Sequence, residues 1–235
     1  MNSLQNYKKR AKNQGFTLVE LMIAISILSL LLFTGSYTYS LMSERWNKEL
    51  GQFNHSAKNY KHLELIQRLL EGVQPYVVVD DNKKPSFFFI GDDNSLLAVS
   101  RSGLFSGDYP EIFRLSTIDA GEGKVDLIYQ SASTEQILLK GTDQSINFTH
   151  QLVLFSNLDN VQFSYYGWPH LYEKNALDKK GKKAQWYTRF SGINNQIMPE
   201  KYAVTLTQAG KDLSIPIQLE ARPERWLSPY FKENQ

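Results

Sequence analysis

The chain has 235 residues, 42% of them hydrophobic and 13% aromatic, with a formal net charge of +2 and no cysteine. That length suits one sizeable domain with an extra element. The near-neutral balance gives no bulk electrostatic reason to expect nucleic acid or an acidic substrate. The lack of cysteine excludes disulfides, thiolate metal sites and cysteine nucleophiles.

Residues 1–14 hold Lys8, Lys9, Arg10 and Lys12 and none of the 24 acidic residues, so the remainder carries a formal net charge of −2. A basic segment before an apolar run marks a cytoplasmic end under the positive-inside rule. The run itself, Phe16 to Phe33, would span about 27 Å as a helix at ~1.5 Å per residue, close to a hydrocarbon core of ~30 Å. A secretory signal has a shorter apolar core followed by a small-residue cleavage site; here the small residues Ala24 to Ser26 fall inside the run. An ordinary signal anchor accounts for the hydropathy but not for Gly15 or for Glu20, a carboxylate within the run. A membrane carboxylate is costly and usually functional or paired; the plainer reading is that Glu20 snorkels to the headgroups.

The first proline is Pro75, and the helical pattern continues past the apolar run. Trp46, Leu50, Phe53, Ala57, Tyr60, Leu63, Ile66 and Leu70 recur at steps of three or four, which predicts an amphipathic helix with one buried stripe. Gly35 and Gly51 are points where it could bend, and Gly72 with Pro75 ends it. Beyond Pro75 the texture is that of strands: YVVV, SFFFI, LLAV, EIFRL, KVDLIYQ, QILLK, QLVLF, VQFSYY, YAVTLTQ and LSIPIQLE, separated by turn residues. Pro216 places the last at an edge or a bulge. No alternating helices interrupt them, so the expected class is α+β, a long N-terminal helix packed on antiparallel β-sheets.

Between Gly167 and Glu200 lies a weakly periodic stretch with Trp168, Trp186 and five lysines, Lys174, Lys179, Lys180, Lys182 and Lys183. Such loops are often functional, and the lysines could meet phosphates. No aromatic residue interleaves the run to stack on bases, which favours a solvated hairpin tip.

Gly15-Phe16-Thr17-Leu18-Val19-Glu20 after a basic leader resembles the type III signal of the type IV pilin and type II secretion pseudopilin superfamily. The resemblance implies that a prepilin peptidase/methyltransferase cuts between Gly15 and Phe16 and methylates the new Phe16 amine. It also implies that Glu20 attracts a neighbouring subunit's N-terminal amine during assembly. The implied layout is a cleaved leader at 1–15, a transmembrane helix at 16–42, its amphipathic continuation at 43–74 and a β-rich periplasmic domain at 75–235. LDNVQFSYYGW, Trp186 and MPEKYAVTLT further resemble the C-terminal pattern of J-type minor pseudopilins and related minor pilins. The matching positions, Val161, Phe163, Tyr165, Trp168, Pro199, Val204 and Leu206, are core-type residues and read as fold markers. The implied function is a minor subunit that starts or caps a type II secretion pseudopilus or a type IV pilus. Its implied partners are other minor pseudopilins or pilins, the major subunit and inner-membrane lipid, with no cofactor and no nucleic acid.

Other functions meet obstacles. His55 and His62 share a helix face but stand ~10 Å apart along the axis, too far for one metal. Of the other two histidines, His150 and His170, His150 has no acid or hydroxyl partner at motif spacing, and no phosphate loop, HExxH or GxSxG occurs. Asp80-Asp81-Asn82 and Asp92-Asp93-Asn94 lack calcium-loop spacing and read as turns. The reading is therefore non-enzymatic. The alternatives are an adhesive or DNA-uptake minor pilin with a binding patch and, in a different class, a signal-anchored periplasmic enzyme.

Overall fold

The computed structural model describes residues 16–79, 84–141, 144–176, 183–220 and 222–232, with backbone alone at 47, 49–58, 231 and 232. The expectations placed on Gly15 and the leader lie outside the described residues. So do those placed on Asp80, Asp81, Asn82, Lys179, Lys180 and Lys182, and on the side chains of Leu50, Phe53, His55 and Ala57. What is described is a long apolar N-terminal helix followed by antiparallel sheets, an α+β architecture.

Helix α1 (Leu18–Glu71) runs unbroken through Gly35 and Gly51. It contributes to two units, one up to Ala57 and one from Lys58. In the first unit, Leu18–Trp46 is a 29-residue stretch that contains an 18-residue window with a mean hydropathy of 2.3, and it has no buried residue. Three of its hydroxyls bond back to the helix: Ser26 donates to the Met22 carbonyl at 2.9 Å, Thr34 to Leu30 at 2.9 Å and Thr38 to Thr34 at 2.8 Å. Such internal pairing suits a lipid environment, which offers no partner of its own. So long a stretch of exposed apolar surface is foreign to soluble monomers.

In the second unit, Ile66, Leu69 and Leu70 are fully buried, with Val73 nearly so and Leu63 packed against them. Among the described members of the expected stripe in this unit, Leu63, Ile66 and Leu70 pack into the core and Tyr60 does not. Trp46 and Tyr60 are 59% and 72% exposed, and Tyr60 stands on the rim of a surface groove beside Leu213 and Pro216. Hydrophobic spacing marks the face of a helix but not how far along it a partner reaches. Leu69 and Val73, which the expected stripe omitted, lie on its inner side. Three side-chain contacts among the described residues fix this end of α1 to the sheets: Ser100 Oγ donates to the Leu69 carbonyl at 2.8 Å, the Tyr202 hydroxyl to the Leu70 carbonyl at 2.8 Å, and His62 Nδ1 bonds the Leu154 carbonyl.

The strands, in chain order, begin with β1 (Val77–Val79), β2 (Pro85–Phe87), β3 (Ile90–Gly91), β4 (Ser95–Ser100), β5 (Glu111–Gly121) and β6 (Lys124–Ser133). They continue with β7 (His150–Leu158), β8 (Asn160–Gly167), β9 (Gln185–Tyr187), β10 (Phe190–Ser191), β11 (Lys201–Gln208) and β12 (Lys211–Gln218). They make a six-stranded sheet in the order β10-β3-β4-β5-β6-β7, a four-stranded sheet β12-β11-β8-β9, and the pair β1-β2. All pairings are antiparallel. β12 with Pro216 is an edge strand, as proline requires.

Two expected strands differ. SFFFI splits at Phe88–Phe89, where Phe89 N–H bonds back to the Phe87 carbonyl at 2.9 Å. The split serves two clusters: Phe87 and Phe89 enter the main core, while Phe88 joins Val78, Val99, Ile112 and Leu139. QILLK forms no strand. The Gln144 side chain accepts from Lys140 N–H and donates to the Leu138 carbonyl, taking groups that a ladder would use. Leu139 is buried whereas Leu138 is exposed.

The two large sheets meet through Tyr165 of β8. Its hydroxyl donates to the Asp92 and Ser95 carbonyls at 3.0 and 3.1 Å, and Phe163 N–H donates to the Asp93 carbonyl at 2.8 Å. The Asp92-Asp93-Asn94 cluster is therefore a turn whose backbone receives the neighbouring sheet. Gly91 makes the approach possible, since a Cβ there would lie 2.2 Å from the Tyr165 ring.

Candidate assembly site at the helix start

Phe16 and Thr17 lead into α1, and Phe16 is 84% exposed. The Thr17 carbonyl accepts the first helical bond, from Leu21 N–H at 3.2 Å, which makes Thr17 the N-cap and Glu20 the third helical residue. Thr17 Oγ1 accepts from Glu20 N–H at 3.3 Å, and Glu20 Oε2 accepts from Thr17 N–H and Oγ1, both at 2.9 Å. This reciprocal arrangement is a capping box. It satisfies two donors that the helix start would leave orphaned and places a carboxylate against the positive end of the helix dipole.

Glu20 therefore has a local structural partner in addition to the role the resemblance implies. The signal for it was present in the spacing Thr17-x-x-Glu20. Among the described residues Oε2 accepts both bonds and Oε1 accepts none, so one carboxylate oxygen remains open to a cation.

The other sequence candidates are placed as follows. Val161, Phe163, Tyr165, Trp168, Pro199, Val204 and Leu206 are all buried, so they are core residues. Trp186 is 52% exposed, and Lys201 Nζ lies 4.5 Å from the Tyr166 ring centroid and 5.6 Å from that of Trp186. Lys174 is not a free cation: on the short helix α2 (Leu171–Asn175) it pairs with Glu224, and with Glu200 at 3.9 Å. The three described histidines have structural partners. His62 holds Leu154, His150 stacks on Phe105 at 4.8 Å, and His170 N-caps α2.

One buried acid escaped the sequence reading. Glu111 opens β5 and is fully buried. It accepts from the backbone N–H groups of Leu104, Phe105 and Ser106 and from the Tyr129 hydroxyl. Burial pushes its pKa up, but the bonds from Tyr129, Ser106 and Phe105 outweigh it and hold the group below the usual carboxylate range. In turn, burial and then Glu111 push the Tyr129 phenol up. These groups pin the loop 103–110 and present no open site.

Residues 10–35 match the prokaryotic N-terminal methylation motif. No curated protein matches the chain. The matched segment contains Phe16, Thr17, Glu20 and the start of the exposed apolar helix. The match supports a type IV pilin-like protein made as a prepilin, points to a structural rather than an enzymatic role, and, with the single apolar helix, is consistent with a membrane-anchored protein.

Proposed function

We propose that the chain is a minor pilin-like subunit that joins other minor subunits to start or cap a type II secretion pseudopilus or a type IV pilus. In this reading the leader 1–15 is removed by hydrolysis of the Gly15–Phe16 bond, and the freed Phe16 amine receives a methyl group. Residues 16–42 anchor the chain in the inner membrane, 43–74 continue the helix, and 75–235 form a periplasmic domain. The carrying observation is the methylation motif running directly into an exposed apolar helix that bears Glu20 in its first turn.

The freed amine would lie one residue before the N-cap, where its charge meets the positive end of its own helix dipole. A carboxylate nearby offsets that repulsion, and the open Oε1 of Glu20 can do so for a neighbour's amine.

Two variants separate assembly from capping. Thr17→Ala removes the threonine hydroxyl from the capping box, at a loss of about 1 kcal/mol of helix stability, but keeps the carboxylate. Glu20→Ala removes the carboxylate and its two bonds from Thr17 but keeps the threonine hydroxyl on the backbone N–H of residue 20. Co-purification of partner minor subunits should survive Thr17→Ala and fail in Glu20→Ala, with both proteins still in the membrane. Equal behaviour of the two variants would reduce Glu20 to a cap and overturn the assembly role.

A further inference from the structure

Residues 74–77, just after α1, face the C-terminal segment across a cleft of about 900 Å³. Pro75 and Tyr76 form one wall. Glu220, Arg225, Trp226 and Tyr230 form the other, the last three carried by a 3₁₀ turn (Pro223–Trp226) and the helix α3 (Ser228–Lys232). The volume falls within the range of small-ligand sites, which are apolar clefts with a few convergent polar groups.

Both walls are anchored. Gln74 N–H donates to the Val99 carbonyl at 3.0 Å, and Phe88 N–H to the Tyr76 carbonyl at 2.8 Å. Opposite, Leu227 is buried in the core between the 3₁₀ turn and α3. Trp226 nevertheless stays 53% exposed and Tyr230 39% exposed. Large aromatic faces held open on a fixed frame are a feature of binding surfaces.

The polar groups narrow the ligand class. Arg225 Nη2 donates to Glu220 Oε1 at 3.1 Å, and Trp226 Nε1 donates to Glu220 Oε2 at 3.3 Å. The carboxylate and guanidinium cancel in charge, so the cleft suits a neutral ligand. Each retains hydrogen-bonding capacity beside the other: a second lone pair on each carboxylate oxygen and further guanidinium N–H groups. A donor and an acceptor set side by side match a pair of adjacent hydroxyls. The exposed indole and phenol rings suit the C–H face of the ring that carries them. Burial and the neighbouring Tyr230 raise the Tyr76 phenol, which keeps it protonated and able to donate.

A proline-rich peptide is the other ligand for an aromatic and proline-lined groove. It brings carbonyl acceptors but, at its prolines, no N–H to meet the lone pairs that Glu220 keeps free. We infer that this cleft is a binding site for a neutral saccharide, with a pyranose ring stacked on Trp226 and its adjacent hydroxyls held by Glu220 and Arg225. Every lining residue follows Lys58, so the site does not depend on the role of Glu20.

The test uses the full chain in a detergent without a sugar headgroup, with maltohexaose, cellohexaose, chitohexaose and decaproline as separate probes. Saturation-transfer NMR should show ring-proton contact for at least one hexasaccharide at about millimolar affinity. Trp226→Ala should weaken it about tenfold or more. Glu220→Gln, which keeps the shape and an acceptor while removing the charge, should weaken it in the same direction with an unchanged circular dichroism spectrum. Three results would overturn the site: no transfer from any hexasaccharide, transfer undiminished in both variants, or decaproline bound in a Trp226-dependent manner while the sugars fail.

Discussion

The Tyr202 hydroxyl donates a 2.8 Å hydrogen bond to the Leu70 carbonyl, tying β11 to the last turn of α1 across 132 positions of sequence. Both residues are fully buried. The last carbonyls of a helix lack partners within it, and here they find them in the sheets: Leu69 takes Ser100, while Leu70 takes Tyr202 and also Val73 N–H at 3.2 Å. Because Val73 remains, Tyr202→Phe should lower stability by only about 1 kcal/mol. Tyr202→Ala, which opens a cavity under the helix, should cost roughly 3–5 kcal/mol. Urea midpoints of the two variants check the order.

Glu111 makes the second unit sensitive to acid. Its pKa is held below the usual range in the folded state, so its stabilising contribution is complete above about pH 4.3, the ordinary glutamate value. That contribution is lost as pH falls through the lower folded value. Glu111→Gln should destabilise by roughly 1–3 kcal/mol at neutral pH and flatten the decline of stability below pH 4.3. Denaturation curves collected from neutral to acid pH would show parallel slopes for the two proteins if Glu111 carried no such linkage.

The two-residue turn between β11 and β12 holds Ala209 at φ 51° and Gly210 at φ 71°. Both central residues of such a hairpin turn need positive φ, which is strained for alanine by roughly 1–2 kcal/mol. Ala209→Gly should therefore stabilise the hairpin by about 0.5–1 kcal/mol after the entropy cost of glycine. A lowered thermal midpoint would contradict this.

Gly91→Ala tests the junction of the sheets. The added Cβ would fall 2.2 Å from Cζ of Tyr165, a rigid ring that also caps two carbonyls. A loss of roughly 1–3 kcal/mol or more is expected. Tyr165→Leu in the same chain should recover part of it by freeing the space, whereas additive losses would show that the ring is not the obstacle.

Processing is checked by mass spectrometry of protein recovered from membranes. The mature N-terminus should be a methylated Phe16, and Gly15→Val should block its formation. An intact Met1, or a cut after Ala24 or Ser26, would overturn the proposed leader.

The sequence by itself determined what depends on neighbours along the chain. A basic leader, a glycine, an apolar run and a carboxylate at fixed spacing give the resemblance to a prepilin-type start that the methylation-motif match supports, and continuous hydropathy marks the exposed helix. Short runs rich in β-branched and aromatic residues, with turn residues between, located most of the strands, and Pro216 placed β12 at an edge. Even the Thr17–Glu20 capping box was legible in its spacing. Tertiary structure decided what depends on residues far apart. It set where the buried stripe of α1 begins, because Leu63 to Val73 meet the sheets and Tyr60 does not. It broke SFFFI in two, because Phe87 and Phe88 serve different clusters, and it denied QILLK a ladder by offering Gln144 instead. It buried Glu111, a charge that local rules place at the surface, because donors from a loop and from β6 converge on it. The Trp226 cleft belongs to the same class, since Tyr76 and Tyr230 are brought together only when the end of the chain returns to the end of the helix.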